Sequence, residues 1–573
     1  MKKKYEQFLP LIMAIIIILL IGGYIISKNI EKKPSKIKTT NDIDININTD
    51  DGNQDINWLN LEKKYVFVEE NITITEAGIY TLTGEINKTV TVNTTGNVKL
   101  VLDNVTIKTS EGPAIIIEES ENTLIYLSDN TINTLEDSSN YSYNDKDINS
   151  VIYSKDDLIF DGNGVLNVNS NYQDGIVSKD DLKIVNGTYN INSIDDGIRG
   201  KDSLYIINGN FNITSGGDSL KSTNDTDKEK GYILIENGNF NLESELDGLD
   251  AETKLLIKNG TFNIKAGVGN INSNNNWKKS LNNVSSAKGI KSKDNLIIEN
   301  GVFTLDTLDD SIHSNNNLGI KNGTFNITSS DDGIHADKEI IIDSGNINIE
   351  KSYEGLEAAK IIINDGNIKV VSSDDGINVA GGNDSSSMNR PGENNYSNNT
   401  DNILTINNGT IYIDSTGDGI DINGSGYIYG GNITVDGPTS DRNTALDYDL
   451  ELIVDGGTVI AVGSSGMAKS ISSNSKQNNI IINTDNMYDG KKISLTKADI
   501  EIISYTPSKS YQSVIISSSK LETGKTYTLK IDDEEITTFI ISSTTTSIGK
   551  RNNMNSERPN NGRRWHLFPF FVV

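Results

Sequence analysis

The sequence contains no cysteine. That excludes a disulfide scaffold, thiolate metal sites, a cysteine nucleophile and a lipidated N-terminal cysteine. Proline is sparse, with 8 in 573 residues, and aromatic residues make up only 6%. Aromatic platforms, the usual anchors of neutral sugars, therefore have few candidates. There is no Gly-x-Ser-x-Gly elbow, phosphate-binding loop, His-Glu-x-x-His, EF-hand loop or Gly-Gly-x-Gly-x-Asp run. Positive charge is also in deficit, at 51 Lys and Arg against 79 Asp and Glu, a net charge of −28. Residues 39–549 alone hold 38 basic and 76 acidic side chains, a charge of −38. Such a body repels phosphates and disfavours nucleic-acid binding, while suiting a soluble surface or cation binding.

The two ends differ from this body. Lys2, Lys3 and Lys4 precede an uncharged apolar run from Phe8 to Ile26, just long enough to span a bilayer. No clear small-x-small cleavage site follows it, so the expectation is a cytoplasmic stub at 1–7 and a transmembrane anchor at 8–27, with a secretory signal as the alternative. Residues 28–57 read as a polar linker and 58–545 as the folded domain. The body is expected outside the membrane, at the cell surface. The tail 546–573 turns basic and then apolar, and reads as disordered.

A repeat fills the middle. Asp-Gly-Ile or a close variant recurs with its acid at 174, 196, 218, 247, 310, 332, 354, 375 and 418. Asn-Gly-x-Phe-x-Ile or a variant recurs with Gly-to-Gly steps of 22, 29, 22, 41, 22, 22, 21, 43 and 22. The long steps read as one repeat plus inserts near 221–231, 269–286 and 381–402. Each unit holds three short runs of period 2 separated by Gly and Asn corners, too short for helices and not arranged as hairpins. Three strands per 22 residues, stacked on copies of themselves, predict an all-β, single-stranded parallel β-helix. Core repeats span about 150–465, and residues 479–545 read as a C-terminal cap. The N-terminal cap is expected within 58–76. Phe211, Phe240, Phe262, Phe303 and Phe325, with Tyr189, are expected to stack inside.

Further segments carry a resemblance: AGIYTLTGEI (77–86), VKLVLDNVTI (98–107), GPAIII (112–117), VIYSKDDLIFDGNGVLNV (151–168) and GGTVIAVGSSGMAKS (456–470). With the Asp-Asp-Gly-Ile repeats, they make the chain over roughly 65–545 resemble bacterial carbohydrate-binding domain-containing proteins that share a right-handed parallel β-helix with pectate lyases. The resemblance implies a surface protein that binds calcium and plant-wall polysaccharide, including acidic polymers, without established catalysis.

The residues themselves supply candidate sites. Stacked strands lie about 4.8 Å apart, so in-register acids form columns: Asp174, Asp196, Asp218, Asp310, Asp332, Glu354 and Asp375, with Asp195, Asp309, Asp331 and Asp374 beside them. Carboxylates at about 5 Å repel by about 1–3 kcal/mol per pair. The ladder therefore needs cations between its members, or carboxylates that cap backbone amides. Calcium suits it, accepting six to eight oxygens in flexible geometry. Residues just after each Asp-Gly-Ile are expected outward on one exposed row, which includes Arg199, Lys221, Lys291, His313 and His335. That row reads either as a contact for an anionic sugar chain or as ion pairs neutralising the acids. Trp277 is the candidate stacking residue for sugar. The expected function is a monomeric, calcium-dependent, non-catalytic binder of acidic (polygalacturonate-type) or cellulosic polysaccharide. A polysaccharide lyase and a purely structural solenoid are the alternatives.

Overall fold

The computed structural model describes residues 37–47, 58–65, 72–141, 147–270, 286–380 and 401–551. The anchor expected at 8–27, the parts of the linker at 28–36 and 48–57, Trp277 and residues 552–573 of the tail lie outside them. The chain divides into two units, Met1–Thr39 and Thr40–Val573. The second unit is all-β. Among the described residues the only helical elements are two single 3-10 turns, Thr40–Asp42 and Trp58–Asn60, and no helix is long and apolar enough to cross a membrane.

Most strands join one large, mostly parallel sheet, an architecture consistent with a β-helix. Their pairings run in three series. In one, Ile176 pairs with Ile198, Ile198 with Leu220, and Leu220 with Leu249. In the second, Leu182 pairs with Leu204 and Leu204 with Ile233. The third joins Tyr189, Phe211, Phe240, Phe262, Phe303 and Phe325 in order. Alternation sends these apolar side chains inward, where they form one continuous core. The six rings stack with centroids 4.5–5.1 Å apart and interplanar angles of 9° or less. Burying each Phe stabilises the fold by about 1.5–3 kcal/mol.

The corners are built from Asn-Gly pairs. Gly209 sits at φ +145°, and a Cβ there would meet the Phe211 ring at 2.9 Å. Outside it, asparagines form an amide ladder: Asn208 Nδ2 donates to Asn186 Oδ1 (3.3 Å) and Asn259 Nδ2 to Asn237 Oδ1 (3.2 Å). Near the C-terminus the parallel pattern ends. Ser510–Ser518 pairs antiparallel with both Thr458–Gly463 and Asn479–Asp489, and a separate four-stranded antiparallel sheet within 493–540 shares a second core with those three strands.

Part of the segment read as linker is built into the body. Residues 40–47 lie across the outer face of the second series. Ile43 packs with Leu234, Leu256, Ile297 and Ile341, and Ile45 and Ile47 pack beside it. Thr40 Oγ1 donates to Asp343 (2.6 Å), Asn295 Nδ2 to the Asp44 carbonyl (2.6 Å), and Lys254 Nζ to the Asn46 carbonyl (3.2 Å). The period-2 spacing of Ile43, Ile45 and Ile47 gives this polar segment one apolar face.

Candidate functional site

The corner acids lie where Asp-Gly-Ile opens each strand of the first series. Asp174, Asp196, Asp218, Asp247, Asp310 and Asp332 are all buried. One oxygen of each caps the amide one repeat on. The Asp196 amide donates to Asp174 Oδ1 (3.1 Å), Asp218 to Asp196 (3.0 Å), Asp247 to Asp218 (2.8 Å) and Lys288 to Asp247 (2.6 Å). The Asp332 amide donates to Asp310 (3.0 Å), Glu354 to Asp332 (3.3 Å) and Asp418 to Asp375 (2.6 Å). Amide capping is thus one way the ladder is satisfied.

Up to Asp310, the other oxygen meets a cation. Arg199 pairs with Asp174. Lys221 Nζ lies 2.6 Å from Asp218 and 3.4 Å from Asp196, and Lys291 Nζ 2.8 Å from Asp247 and 3.3 Å from Asp250. Lys288 stands in the acidic column itself and contacts Asp310 (2.6 Å) and Asp309 (3.0 Å). Burial disfavours the Lys221 and Lys291 ammonium groups, but Asp196 and Asp218, and Asp247 and Asp250, outweigh it and raise both pKa values. Burial pushes Asp174 up to about 7 against the pull of Arg199, and Asp196 and Asp218 are raised for the same first reason. Asp310 goes the other way, because Lys288 overcomes its burial.

The row expected to be exposed is largely covered. Arg199, Lys221 and Lys291 retain 22%, 24% and 15% side-chain exposure, while His313 and His335 retain 1% each. The row bends over its own acids instead of facing solvent. The two histidines stack with centroids 4.8 Å apart. His313 Nδ1 lies 2.9 Å from Asp310 Oδ2, and its pKa is lowered by burial and then by Lys288.

Beyond His335 no lysine or arginine is seen paired with the column among the described residues. The column continues as Glu354, Asp375 and Asp418, and the row as Glu357, Asn378 and Asp421. Burial and then Glu357 raise Glu354 well above the usual carboxylate range. Asp375 is raised by burial and then by Asp374, Asp421 and Asp418. Asp418 reaches about 6 and Asp421 about 7, both chiefly through burial. Asn378 donates to Glu354 Oε2 (2.7 Å), but its own Oδ1 is buried without a hydrogen-bond partner. Asp374, Asp375, Asp418 and Asp421 are only partly buried and remain open to solvent. Elsewhere, ligand atoms of Asp174, Asp195 and Asp196 lie within 4.8 Å of one another, with Asp195 exposed. Asp331, partly buried, accepts the Tyr353 amide at its carbonyl (2.7 Å).

Asp247, Asp250, Lys288, Glu357, Asn378, Asp418 and Asp421 are the members that the sequence reading did not single out as site residues. For Lys288 the signal was there: Lys288-Gly289-Ile290 is Asp-Gly-Ile with its charge reversed.

The family model for carbohydrate-binding domain-containing proteins matches residues 68–333 and 332–523. A carbohydrate-binding domain-containing protein of Acetivibrio thermocellus is 35% identical over 131 residues, which are 22% of this chain and 46% of that relative. The chain thus spans about half the length of the curated relative it matches. A solved structure of a polysaccharide lyase-like protein from C. thermocellum, a gadolinium derivative, is 30% identical with a TM-score of 0.36, over 40% of this chain and 89% of that one. With the family model matched from residue 68 to 523, this chain belongs to the carbohydrate-binding domain-containing protein family.

Proposed function

We propose that the protein is a calcium-dependent, non-catalytic binder of acidic polysaccharide. Its stacked repeats are read as a right-handed parallel β-helix of about 22 residues per turn. One observation carries the reading: the acidic ladder is neutralised by Arg and Lys up to Asp310, and the partly open group Asp374, Asp375, Asp418 and Asp421 has no such partner among its described contacts. Carboxylates that raise one another's pKa values and face solvent offer calcium the oxygen-rich, adaptable shell it takes. A uronate carboxylate completes such a shell from the solvent side, bridging sugar to protein.

Proton abstraction, as a lyase requires, is poorly served here. Lys221 and Lys291 are held protonated by the acids they touch, and Arg199 is paired with Asp174. A neutral, cellulosic chain has separate support in the face that carries Asn190, Asn212, Asn241 and Asn263. Asn212 donates to Asn190 (2.9 Å) and Asn263 to Asn241 (2.8 Å), and the four line a shallow depression of about 280 Å³. The apolar run at 8–26 supports membrane anchorage with the body outside the cell.

The test is calorimetric titration of the full chain with polygalacturonate in calcium and again in chelator. Saturable heat that chelator abolishes while circular dichroism is unchanged is the expected result. Heat independent of calcium, or an unsaturated ultraviolet-absorbing product, would overturn it.

A further inference from the structure

We propose a second, chemically distinct metal site in the buried strand ends at 332–357: His335 Nδ1, Asp332 Oδ2 and Glu357 Oε2 hold a transition-metal divalent cation of the zinc, manganese or cobalt class. Three observations converge on this.

The first is geometry. His335 Nδ1 lies 3.1 Å from Asp332 Oδ2 and 3.0 Å from Glu357 Oε2, and the three ligand atoms fall within 4.8 Å of one another. Ligands bound at about 2.1 Å to one ion are separated by about 3.0–3.4 Å along the edges of an octahedron or tetrahedron. All three residues are buried.

The second is the far side of the ring. His335 Nε2 lies 3.4 Å from Asp337 Oδ1. A carboxylate accepting from Nε2–H fixes the tautomer whose lone pair is on Nδ1, the support that metal-bound histidines commonly have. That lone pair then points at two carboxylate oxygens, which is repulsive unless a proton or a metal stands between them. A single proton there is shared between two carboxylates.

The third is comparison along the column. At each earlier repeat the outer oxygen of the corner acid meets an ammonium or guanidinium: Arg199 at Asp174, Lys221 at Asp218, Lys291 at Asp247, Lys288 at Asp310. At Asp332 the partners found are His335 and, across the same nitrogen, a further acid, Glu357. Here the cation beside the acids is the protonated His335 ring, and a divalent ion taking the place of its Nδ1 proton supplies that charge instead.

An imidazole nitrogen with two carboxylates selects against calcium, whose shells are built from oxygen, and for the later first-row metals. Binding replaces the Nδ1 proton, so uptake releases it. The site uses none of Asp374, Asp375, Asp418 and Asp421, the group proposed above to bridge calcium to sugar, and either can fail alone.

The test starts from the full chain, unfolded in chelator, refolded metal-free and titrated with Co2+, whose visible absorption reports nitrogen and oxygen ligands. One Co2+ per chain is expected. It should be displaced by Zn2+ but not by a large excess of Ca2+, and its uptake should release protons to an indicator dye. Glu357→Gln and His335→Asn should each weaken binding by about 100-fold or more. Cobalt binding unaltered in both ligand variants, cobalt displaced readily by calcium, or no cobalt taken up by the refolded wild type each overturns the proposal. Should the ligand variants fail to refold, the wild-type competition and proton count decide it without them.

Discussion

Lys288 occupies a corner that aspartate holds in neighbouring repeats, and it is 4% exposed, with Asp309 and Asp310 as its partners. Removing one partner of a buried pair leaves the other charge uncompensated, which costs about 3–5 kcal/mol. Lys288→Met should therefore lower the urea midpoint sharply. Adding Asp310→Asn should recover most of the loss, because the amide keeps an oxygen for the Asp332 N–H without the charge. A double variant no more stable than the single one contradicts this. Asp174, at the other end of the column, and Asp180, in the turn after the strand that Asp174 opens, set a pH dependence. Burial raises Asp174 from 3.8 to about 7, and burial with a hydrogen bond to Asp202 does the same for Asp180. An acid with a raised folded pKa takes up protons on folding between those two values, so stability falls as pH rises through that window. Asp202 is lowered, burial being outweighed by Lys230, and its contribution is lost only below 3.8. The chelated protein should melt lower at pH 8 than at pH 5, and Asp174→Asn should narrow the gap. A midpoint that climbs across that range would sink the argument. Sequence spacing was enough to put Asp174 and Asp310 in one column. What each oxygen does was not legible, because that depends on an amide one repeat away and on a lysine standing in for an aspartate.

At the scale of elements, the segment at 40–47 shows where composition misleads. Asp42, Asp44, Asn46 and their neighbours make it read as linker, yet every second residue from Ile43 to Ile47 is isoleucine, and that face is what docks. The receiving surface is adapted too. Equivalent outward positions carry Ile297 and Ile341, whereas Gly319 lies between them. A Cβ on Gly319 would meet Ile43 Cδ1 at 3.0 Å and Thr40 Cγ2 at 3.1 Å. Gly319→Leu should lift the segment off. Amide exchange at 40–47 should then rise at least about tenfold, while the melting midpoint of the body barely moves. Unchanged exchange in a folded variant would show that the glycine is not there for the segment. The ring stack behaves oppositely, since its spacing was fully legible from Asn-Gly-x-Phe. Phe262 is 1% exposed between Phe240 and Phe303, and Phe262→Ala should cost about 3–5 kcal/mol in urea unfolding.

Across the whole molecule, each strand in the parallel region pairs only with the repeat before and the repeat after it, as Arg199 does with Val177 and Lys221. Stability in such a stack is close to a sum of repeat terms and nearest-neighbour interfaces. A ligand therefore stabilises the repeats it touches, and its influence fades within a few interfaces. The charge pattern adds a direction to this. Repeats up to Asp310 carry their own cations, while those from Glu354 to Asp421 raise one another's carboxylate pKa values and gain most from an added ion. Calcium should slow amide exchange in Leu356–Ile363, Ile377–Val379 and Ile420–Ile422. It should leave Ile198–Gly200 and Leu220–Ser222 nearly as they were. Asp375→Asn with Asp421→Asn should remove that protection and the calcium-linked heat of sugar binding together. Protection spread evenly over all repeats would mean that calcium acts on the solenoid as a unit, and the local site would have to be abandoned. Protection centred on Asp174, Asp195 and Asp196 would move the ion to the N-terminal end, where it must compete with Arg199 for the same carboxylates.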